Sequence, residues 1–484
     1  MKTEVLSASE STRFDDEVDV LVVGLGAAGA AGAAAALTAI EQGASVLVAE
    51  RAGGGGGTSA MSGGVIYLGG GTGLQKACGF EDSVEAMFTY LMASVGRGMD
   101  EDKIRLYCEG SVAHYDWLVA QGVPFKATFY DGYSGEPPTD DGLVWSGSEQ
   151  VHPFCDIAEP APRGHVVAVP GPAGHKLMSV LCDVLARTQA ELAFNTVCDA
   201  LYRKPDGSIV GARLKTFGQE RHVCARGGVV ITTGGFILND EMLEAYHPEA
   251  RLCSMRIAAD GDDGSGIRLG MRVGAGTRHL DKISVSLPVT QPWHLKSGLL
   301  INPQGQRFTN EDAYYGRLGE HALLRQEGKV WLIVDDEIYL KPEYGFELCA
   351  VGETPAELAR ELGLPAGALE ATIEIFNRYA ERGEDPLFHK RKPYLNPLTA
   401  PPFGAIDCTV ENSRYAVFTL GGLATDGEGQ VLDPEDRIIP GLYGAGRATS
   451  GVSVGGYSSG LSLGDGSFFG RRAARAASAR ARRG

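Results

Sequence analysis

The sequence predicts an α/β protein in which a Rossmann-like domain with a central parallel sheet is interrupted by a smaller, inserted α+β domain. Three observations lead to this expectation. An apolar strand near the N-terminus runs into a glycine turn and then an alanine-rich helix, over residues 18–42. Apolar strands that end in glycine turns return later, at residues 228–235 and 441–446. The segment 275–403 has a different texture, with more aromatic residues and prolines.

The domain boundaries follow from these changes of composition. A chain of 484 residues is too long for one compact core, so we expect more than one domain. Residues 1–16 are a polar lead-in that is expected to be disordered. Residues 17–274 form the first part of the Rossmann-like domain and residues 404–484 its second part. Residues 275–403 form the inserted domain, which is expected to be catalytic.

Composition and charge exclude several classes of protein. A net charge of −17 argues against nucleic acid as a partner, because neutralising phosphates needs a basic surface. Nine scattered cysteines without a C-x-x-C pair argue against a disulfide framework, a zinc site and an iron–sulfur cluster, so no metal is expected. The N-terminus lacks an apolar leader, and no run of about 18 apolar residues occurs. We therefore expect a cytoplasmic protein without a membrane span.

The most informative local unit lies at the start of the Rossmann-like domain. Residues 18–23 (VDVLVV) are typical of a buried parallel strand, and they lead directly into residues 24–29 (GLGAAG), a G-x-G-x-x-G turn. A helix and a second apolar strand, 44–49, follow, and Glu50 comes 21 positions after the last glycine. These glycines allow a tight turn and a close approach of pyrophosphate to the helix N-terminus. With an acid placed to bind ribose hydroxyls, the unit predicts a dinucleotide site.

The remaining elements are predicted more coarsely. Helical sequence extends from about Glu81 to Gln121, and strand-like segments alternate with turn signals between residues 191 and 235. Helices are expected at residues 354–361 and 367–382 of the inserted domain, and a last helix from about Ser462.

The order of the glycine-rich motifs carries a resemblance to a known family. They span nearly the whole chain: GLGAAG (24–29), Glu50, TSAMSGG (58–64), TTGG (232–235), DGDDGSG (260–266), TLGGL (419–423), GLYGAGR (441–447) and GLSLGDG (460–466). This order resembles that of the fumarate reductase/3-ketosteroid dehydrogenase superfamily of flavoproteins. The resemblance implies non-covalently bound FAD, held by both parts of the Rossmann-like domain.

The resemblance also implies where FAD lies. Adenosine pyrophosphate is expected on residues 24–29, ribose on Glu50, and the flavin on residues 58–65 and 460–463. In that superfamily the last helix points its N-terminus at the pyrimidine end of the flavin, where it stabilises negative charge on the reduced ring. The residues expected to contact FAD are Gly24, Gly26, Ala27, Ala28, Gly29, Glu50, Arg51, Ala52, Gly57, Thr58, Ser59, Ser62, Gly63, Gly64, Val65, Val197, Thr233, Gly234, Asp262, Gly266, Gly446, Arg447, Gly460, Leu461, Ser462 and Leu463.

Three positions separate the branches of this superfamily. Where fumarate reductases carry a proton-donating arginine, four residues after the glutamate of Arg-Phe-x-Asn-Glu, this chain has Tyr315. Where they hold a carboxylate with a C-terminal arginine, it has residues 455–460 (GGYSSG), and their histidine before Thr-x-Gly-Gly is replaced by Phe418. Carboxylate recognition favours bidentate arginine, so a dicarboxylate substrate is not expected. Phenols and a hydroxyl suit a neutral carbonyl on an apolar body.

Two tyrosines with a nearby serine resemble the 3-ketosteroid dehydrogenases of the superfamily. Residues 457–459 (YSS), in a glycine loop, resemble most the Δ4-(5α) branch, and the Tyr-Pro-Gly-Gly-Gly stretch of the Δ1 branch is absent. The resemblance implies oxidation of the C4–C5 bond of a 3-oxo-5α-steroid to a 4-ene-3-one, with hydride passing to flavin N5.

Such a reaction assigns roles to the hydroxyl groups. Removing a proton next to a carbonyl requires a group that polarises the oxygen and a base. From the resemblance, Tyr457 donates a hydrogen bond to the carbonyl, aided by a backbone N–H of its loop. Tyr315 takes the C4 proton, and Ser459 orients it or relays charge. Tyr314 is the neighbouring candidate, since a one-residue shift of the alignment exchanges it with Tyr315.

Two other functions remain open at this point. One is an enoate or alkene reductase that acts on a non-steroidal carbonyl compound. The other is a non-catalytic flavin-binding subunit in electron transfer, although neither a haem C-x-x-C-H motif nor an iron–sulfur cysteine set is present. The electron acceptor and the oligomeric state are left open as well.

Overall fold

A computed structural model describes residues 3–9, 11–26, 30–133 and 137–483 of the chain. Its strands are β1 (Glu4–Ser7), β2 (Asp16–Val23), β3 (Val46–Ala49), β4 (Val65–Tyr67), β5 (Phe129–Tyr133), β6 (Leu143–Trp145), β7 (Gly164–Val166), β8 (Glu191–Ala193), β9 (Thr196–Arg203), β10 (Ile209–Thr216), β11 (Gln219–Ile231), β12 (Met255–Arg256), β13 (Thr277–Arg278), β14 (Ile283–Ser286), β15 (Leu299–Ile301), β16 (Trp331–Val334), β17 (Leu348–Gly352), β18 (Phe403–Asp407), β19 (Ala416–Thr419), β20 (Gly422–Leu423), β21 (Gln430–Leu432) and β22 (Ile438–Gly444). Its helices are α1 (Ala31–Glu41), α2 (Gly57–Ala60), α3 (Gly73–Ala77), α4 (Val84–Ser94), α5 (Glu101–Ala120), α6 (Phe154–Ile157), α7 (Gly174–Ala186), α8 (Asp240–Tyr246), α9 (Ser265–Arg272), α10 (Tyr315–Arg325), α11 (Pro355–Glu361), α12 (Ala368–Ala380) and α13 (Leu461–Ala481).

The central sheet joins the two ends of the chain. Its order is β1-β9-β10-β11-β2-β3-β8, and β22 from the C-terminal part pairs in parallel with β11. The run β22-β11-β2-β3-β8 is parallel throughout, whereas β9, β10 and β11 form an antiparallel meander. The buried ends of β2 and β3 are almost wholly apolar, as expected for strands that are covered on both faces. The predicted α/β class with a central sheet is confirmed.

Helices α1 and α13 pack against each other beside this sheet. Small side chains make the approach close, because α1 is rich in alanine and a Cβ on Gly470 would lie 2.6 Å from the carbonyl oxygen of Ala31. This packing holds the middle of α13 against the first turn of α1. The predicted last helix is confirmed.

A second sheet, β4-β7-β6-β5, covers residues 65–166 and was not predicted from the sequence. The predicted helical stretch 81–121 is two helices, α4 and α5. Between them, Gly96 and Gly98 adopt φ of +100° and +83°, which breaks the helical path.

The later part of the chain carries a third sheet, β15-β16-β18-β17, with α11 packed against β17 and β18 and α12 packed against α11. Both helices lie where the sequence predicted them. Strand β18 runs to Asp407 and pairs with β16 and β17, so this sheet continues past residue 403. A small sheet, β12-β19-β14, combines short strands that are far apart in the sequence.

The expected disorder of residues 1–16 is wrong for part of that segment. Residues of β1 pair in parallel with β9 and extend the central sheet at its edge. The sequence of this strand is EVLS and its side chains are mostly exposed, so main-chain hydrogen bonds to an open edge order it. Within the described residues, no helix combines the length and the apolar character that crossing a membrane requires.

Candidate active site

Two neighbouring cavities lie at the C-terminal ends of the parallel strands, where α/β proteins usually bind ligands. The smaller cavity, of about 290 Å³, includes Glu50 and Gly57 in its wall. The larger cavity, of about 320 Å³, begins at Thr58 and extends to Tyr315 and Tyr457. Consecutive residues, Gly57 and Thr58, thus separate the two.

Glu50 is one of the charged residues in the wall of the smaller cavity. Its carboxylate accepts the backbone N–H of Leu25 at 2.6 Å and that of Ala52 at 2.8 Å. These bonds hold the carboxylate against the glycine turn, and each oxygen keeps a further lone pair for another donor. Gly24, with φ of +101°, lies in the same wall.

Residues 57–65 form the floor between the two cavities. The hydroxyl of Ser59 accepts the N–H of Ala30 at 2.9 Å, and Ser62 donates to the carbonyl oxygen of Ser59 at 2.7 Å. Gly64 adopts φ of +71°, and a Cβ there would lie 2.5 Å from the backbone of Ala173. The segment is therefore fixed by its own hydrogen bonds and by backbone contact that only glycine permits.

The N-terminus of α13 faces the same space. Gly460 precedes the helix with φ of +95°, and a Cβ there would lie 2.6 Å from the backbone nitrogen of Tyr67. Gly460, Ser462 and Leu463 line the larger cavity. The dipole of the helix favours negative charge at this end.

A buried ion pair stands beside this wall. Arg447 lines the larger cavity and contacts the carboxylate of Asp262, whose side chain is fully buried. Thr58 also donates to Asp262, at 3.4 Å. Burial raises the pKa of Asp262, and the Arg447 guanidinium acts in the opposite direction. Of the described residues that line the larger cavity, Arg447 alone carries a charged side chain, and its charge is matched by Asp262.

The small sheet β12-β19-β14 forms an apolar wall of the larger cavity. Ala416 and Phe418 alternate along β19 and therefore share one face. Met255 on β12 and Ser286 on β14 both pair with Ala416, which brings residues from three distant parts of the sequence side by side.

Two phenols and a hydroxyl meet opposite that wall. Ser459 Oγ lies 2.9 Å from the Tyr314 hydroxyl and 2.7 Å from the Tyr315 hydroxyl. The two rings contact each other, with centroids 4.2 Å apart. Both phenols line the larger cavity; Tyr314 is 3% exposed and Tyr315 is half-buried. The sequence-based candidates Tyr314, Tyr315 and Ser459 therefore form one hydrogen-bonded group.

Tyr457 lies in the same glycine loop as Ser459 but makes different contacts. Its hydroxyl accepts the backbone N–H of Ser462 at 3.0 Å, and its ring packs edge-on against Phe418 with centroids 5.1 Å apart. Burial raises the pKa of Tyr457, so the phenol stays protonated at neutral pH. Because the oxygen accepts from Ser462, the phenolic proton is available to a group in the cavity.

This geometry agrees with what known proteins show. The sequence profile of a family described as FAD binding domain matches residues 19–463. The chain belongs to this family. A 3-oxo-5-alpha-steroid 4-dehydrogenase from Comamonas testosteroni is 30% identical, over 91% of this chain and 94% of that protein. A urocanate reductase from Eggerthella lenta is 28% identical, over 89% of this chain and 69% of that protein.

Solved structures show the same relationship. A 3-ketosteroid-delta4-(5alpha)-dehydrogenase from Rhodococcus jostii, in complex with 4-androstene-3,17-dione, is 43% identical with a TM-score of 0.91 and covers 98% of this chain and 99% of that chain. A flavocytochrome c3 fumarate reductase is 25% identical with a TM-score of 0.68, over 96% of this chain and 79% of that one. The resemblance to this superfamily of flavoproteins is confirmed, and with it FAD as the cofactor.

The chain's own residues fit FAD. Glu50 offers carboxylate oxygens at the smaller cavity, and Thr233, which lines it, has a buried hydroxyl without a hydrogen-bond partner among the described residues. Glycine backbone continues from there into the larger cavity. An elongated polar molecule with a flat ring at one end suits the two neighbouring cavities.

The predicted FAD contacts divide by position. The smaller cavity is lined by Gly24, Glu50, Arg51, Ala52, Gly57, Val197 and Thr233, and the larger by Thr58, Ser59, Ser62, Gly63, Gly64, Val65, Arg447, Gly460, Ser462 and Leu463. Gly26, Gly234, Asp262, Gly266, Gly446 and Leu461 lie outside both walls. Gly266 packs against Thr233 in the wall of the smaller cavity, since a Cβ there would lie 2.1 Å from Thr233 Oγ1. The predictions for Ala27, Ala28 and Gly29 fall outside the described residues.

Sequence reasoning missed much of the wall that faces a substrate. This wall includes Met61, Met255, Ile257, Ser286, Pro288, Gln291, Tyr344 and Ala416. Met61 lies within the TSAMSGG motif but was not predicted to contact a ligand, and the other residues come from separate segments that carry no motif. Only the pairing of β12 and β14 with β19 brings several of them together, and that pairing leaves no signal in strands of two to four residues.

Proposed function

We propose that this flavoprotein oxidises the C4–C5 bond of 3-oxo-5α-steroids to give 4-ene-3-ones. The observation that carries the proposal is the set of hydroxyl groups of Tyr315, Ser459 and Tyr457 in a cavity whose exposed wall is mostly apolar. The only charge in that wall among the described residues, Arg447, is matched by Asp262, so it does not present a free cation to a carboxylate. The similarity to a 3-oxo-5-alpha-steroid 4-dehydrogenase and to a 3-ketosteroid-delta4-(5alpha)-dehydrogenase supports the same substrate class.

Tyr457 is proposed to polarise the 3-oxo group. Its phenol accepts from Ser462 N–H and keeps its own proton for the substrate oxygen. As the C4 proton leaves, negative charge develops on that oxygen, and the hydrogen bond from the phenol strengthens. Because burial raises the pKa of Tyr457, the group remains a donor across the neutral range.

Tyr315, in its deprotonated phenolate form, is proposed to take the C4 proton, and Ser459 to orient it by donating a hydrogen bond to its oxygen. Ser459 Oγ lies between the phenols of Tyr314 and Tyr315, so it can accept from one and donate to the other. The larger exposure of Tyr315 to the cavity supports its role as the group nearest the substrate, with Tyr314 behind it. FAD, when bound, supplies the acceptor for the hydride that leaves C5.

The two parts of the chain are proposed to divide this work. Residues 17–274 and 404–484 hold FAD and contribute Tyr457 and Ser459. The inserted segment 275–403 contributes Tyr314 and Tyr315 and closes the cavity from the opposite side. The catalytic group therefore assembles only when the two surfaces meet.

A second candidate is an alkene reductase that acts on a non-steroidal carbonyl compound. The urocanate reductase and fumarate reductase relatives favour it, since they share the flavoprotein scaffold. The balanced charge of Arg447 counts against carboxylate substrates of that kind.

Product analysis tests the proposal. The purified protein, supplied with an artificial electron acceptor, is incubated with 5α-androstane-3,17-dione, with its 5β epimer, and with fumarate plus a reductant. We expect 4-androstene-3,17-dione from the 5α compound, little product from the 5β compound, and no succinate. Formation of the 1-ene product, or reduction of fumarate, would contradict the proposal.

A further inference from the structure

Tyr90 is a buried tyrosine on α4, 2% exposed. Its hydroxyl makes two hydrogen bonds to parts of the chain remote from α4. It lies 2.9 Å from Ser458 Oγ, and it accepts the backbone N–H of Ser148 at 2.9 Å. One phenol thus ties α4 to two separate loops.

Both loops carry or hold the catalytic group. Ser458 directly precedes Ser459, and the N–H of Ser459 donates to the carbonyl oxygen of Ser146 at 2.8 Å. On the other loop, the hydroxyl of Ser148 accepts the backbone N–H of Tyr314 at 3.2 Å. The loop 146–149 therefore contacts the backbone on both sides of the bond between Ser459 and the tyrosine pair.

The atoms at this junction are closely packed. A Cβ on Gly147 would lie 2.3 Å from Ser458 Oγ and 2.4 Å from the Tyr90 hydroxyl, so a larger residue would push the two loops apart. The buried carboxylate of Glu149 holds the loop from its far side, accepting the N–H of Gly147 at 2.9 Å and the hydroxyl of Tyr67 at 3.0 Å. The position of the Tyr90 hydroxyl is thus fixed on several sides.

We propose that Tyr90 is a positioning residue whose hydroxyl, through Ser458 and Ser148, sets the separation of Ser459 from the catalytic tyrosines. The proposal rests on the proposed function above. Proton transfer is sensitive to such a separation, since a misplacement of about 1 Å can cost about 10²-fold in rate. Hydride transfer from C5 depends on how the steroid lies over the flavin, and Tyr90 is not among the residues that line the larger cavity. Loss of the Tyr90 hydroxyl should therefore slow proton transfer selectively.

The test is Tyr90→Phe, which keeps the ring and its packing and removes only the hydroxyl. The matched control is Tyr415→Phe, another fully buried tyrosine whose hydroxyl donates to the carbonyl oxygen of Cys408 at 2.8 Å in a different sheet. For each protein we would measure FAD content, steroid affinity, kcat, and the kinetic isotope effects of substrates deuterated at C4 or at C5.

For Tyr90→Phe we expect unchanged FAD content, steroid affinity within about twofold, and a kcat lowered about 10- to 100-fold. The isotope effect at C4 should rise while that at C5 does not. Tyr415→Phe should match the wild type in all four. Ser458→Ala breaks the same link from the other side and should give the same isotope pattern, and the double variant should be little slower than either single one.

The inference is overturned if Tyr90→Phe keeps the wild-type kcat and C4 isotope effect, or if both isotope effects rise equally. If Tyr90→Phe does not fold, Ser458→Ala decides by the same criteria. A wild type that oxidises the steroid while the variants show no selective C4 effect refutes only the role of Tyr90. A wild type that does not oxidise 5α-3-oxosteroids refutes the proposed function as well.

Discussion

Replacing Tyr457 by Phe tests the polarisation of the substrate carbonyl. The change removes one oxygen atom and keeps the ring, so the edge-on contact with Phe418, at 5.1 Å between centroids, is retained. The phenol has two hydrogen-bonding roles, and the substitution removes both while the packing of the ring is kept. It accepts the N–H of Ser462 at 3.0 Å, and its proton is available to the cavity.

The expected loss can be estimated from these two bonds. Loss of one donor to a developing oxyanion typically lowers the rate by about 10²–10³-fold, or about 2.7–4 kcal/mol. The amide of Ser462 loses its partner, and an unsatisfied buried donor costs about 1–3 kcal/mol of folding free energy. Because this amide lies in the first turn of α13, at the edge of a cavity, water can replace the phenol, and we expect the lower end of that range. Steroid affinity should change little, since burial of the apolar skeleton supplies most of the binding.

Stopped-flow spectroscopy under anaerobic conditions measures the relevant step directly. The rate of flavin reduction by 5α-androstane-3,17-dione at saturating steroid gives the chemical step, and its dependence on steroid concentration gives the affinity. Tyr415→Phe serves as the control for the loss of a buried phenol hydroxyl that does not line the cavity. Flavin reduction as fast in Tyr457→Phe as in the wild type would refute the role of Tyr457.

Three further changes have expected outcomes. Gly24→Val places a side chain where a Cβ would lie 2.6 Å from the Thr232 carbonyl oxygen, at a φ of +101°. The purified protein should therefore lack FAD absorbance, and a fully yellow protein would contradict the proposed cofactor site. Tyr315→Phe should bind FAD and steroid but lose about 10²–10⁴-fold in turnover, and Tyr314→Phe should lose less; the reverse order moves the base by one residue. Burial lowers the pKa of His165 to about 4, below its unfolded value of about 6.5, so the folded state disfavours the proton. The contribution of His165 to the free energy of unfolding is complete above pH 6.5 and falls towards pH 4, with about 2 kcal/mol lost by pH 5. His165→Gln should reduce the dependence of the unfolding free energy on pH in this range, and an unchanged dependence would contradict the prediction.

The sequence predicted those parts of the fold whose signals are local. Strand β2, the glycine turn and Glu50 form one unit, in which spacing and residue type together specify a dinucleotide site. The helices α11 and α12 were predicted for a similar reason, since each spans two or more turns of regular pattern. In both cases neighbouring residues carry the whole signal.

The parts that sequence reasoning missed depend on pairing between distant segments. Strands β4, β6 and β7 have three residues each, which is too short for a recognisable alternation, and they become a sheet only by pairing with one another. Strand β1 has four residues with mostly exposed side chains and is ordered by the open edge of β9 rather than by burial of its own side chains.

The choice between Tyr314 and Tyr315 shows the same limit at the scale of one residue. The sequence treats the two as alternatives, because an alignment shift exchanges them. In the structure, Tyr314 is the residue that precedes α10, with extended backbone at φ of −57° and ψ of 136°, and Tyr315 is the first residue of the helix. The change of backbone direction between them lets both phenols point at Ser459. Adjacent residues would otherwise face different ways.

Anaerobic titration of the purified, FAD-loaded protein with a 5α-reduced 3-oxosteroid tests the central claim most directly. We predict that the absorbance of the oxidised flavin is bleached as steroid is added, with the 4-ene-3-one formed in proportion to the flavin reduced. A flavin that remains oxidised in the presence of the steroid, yet is reduced by dithionite in the same sample, would contradict the claim.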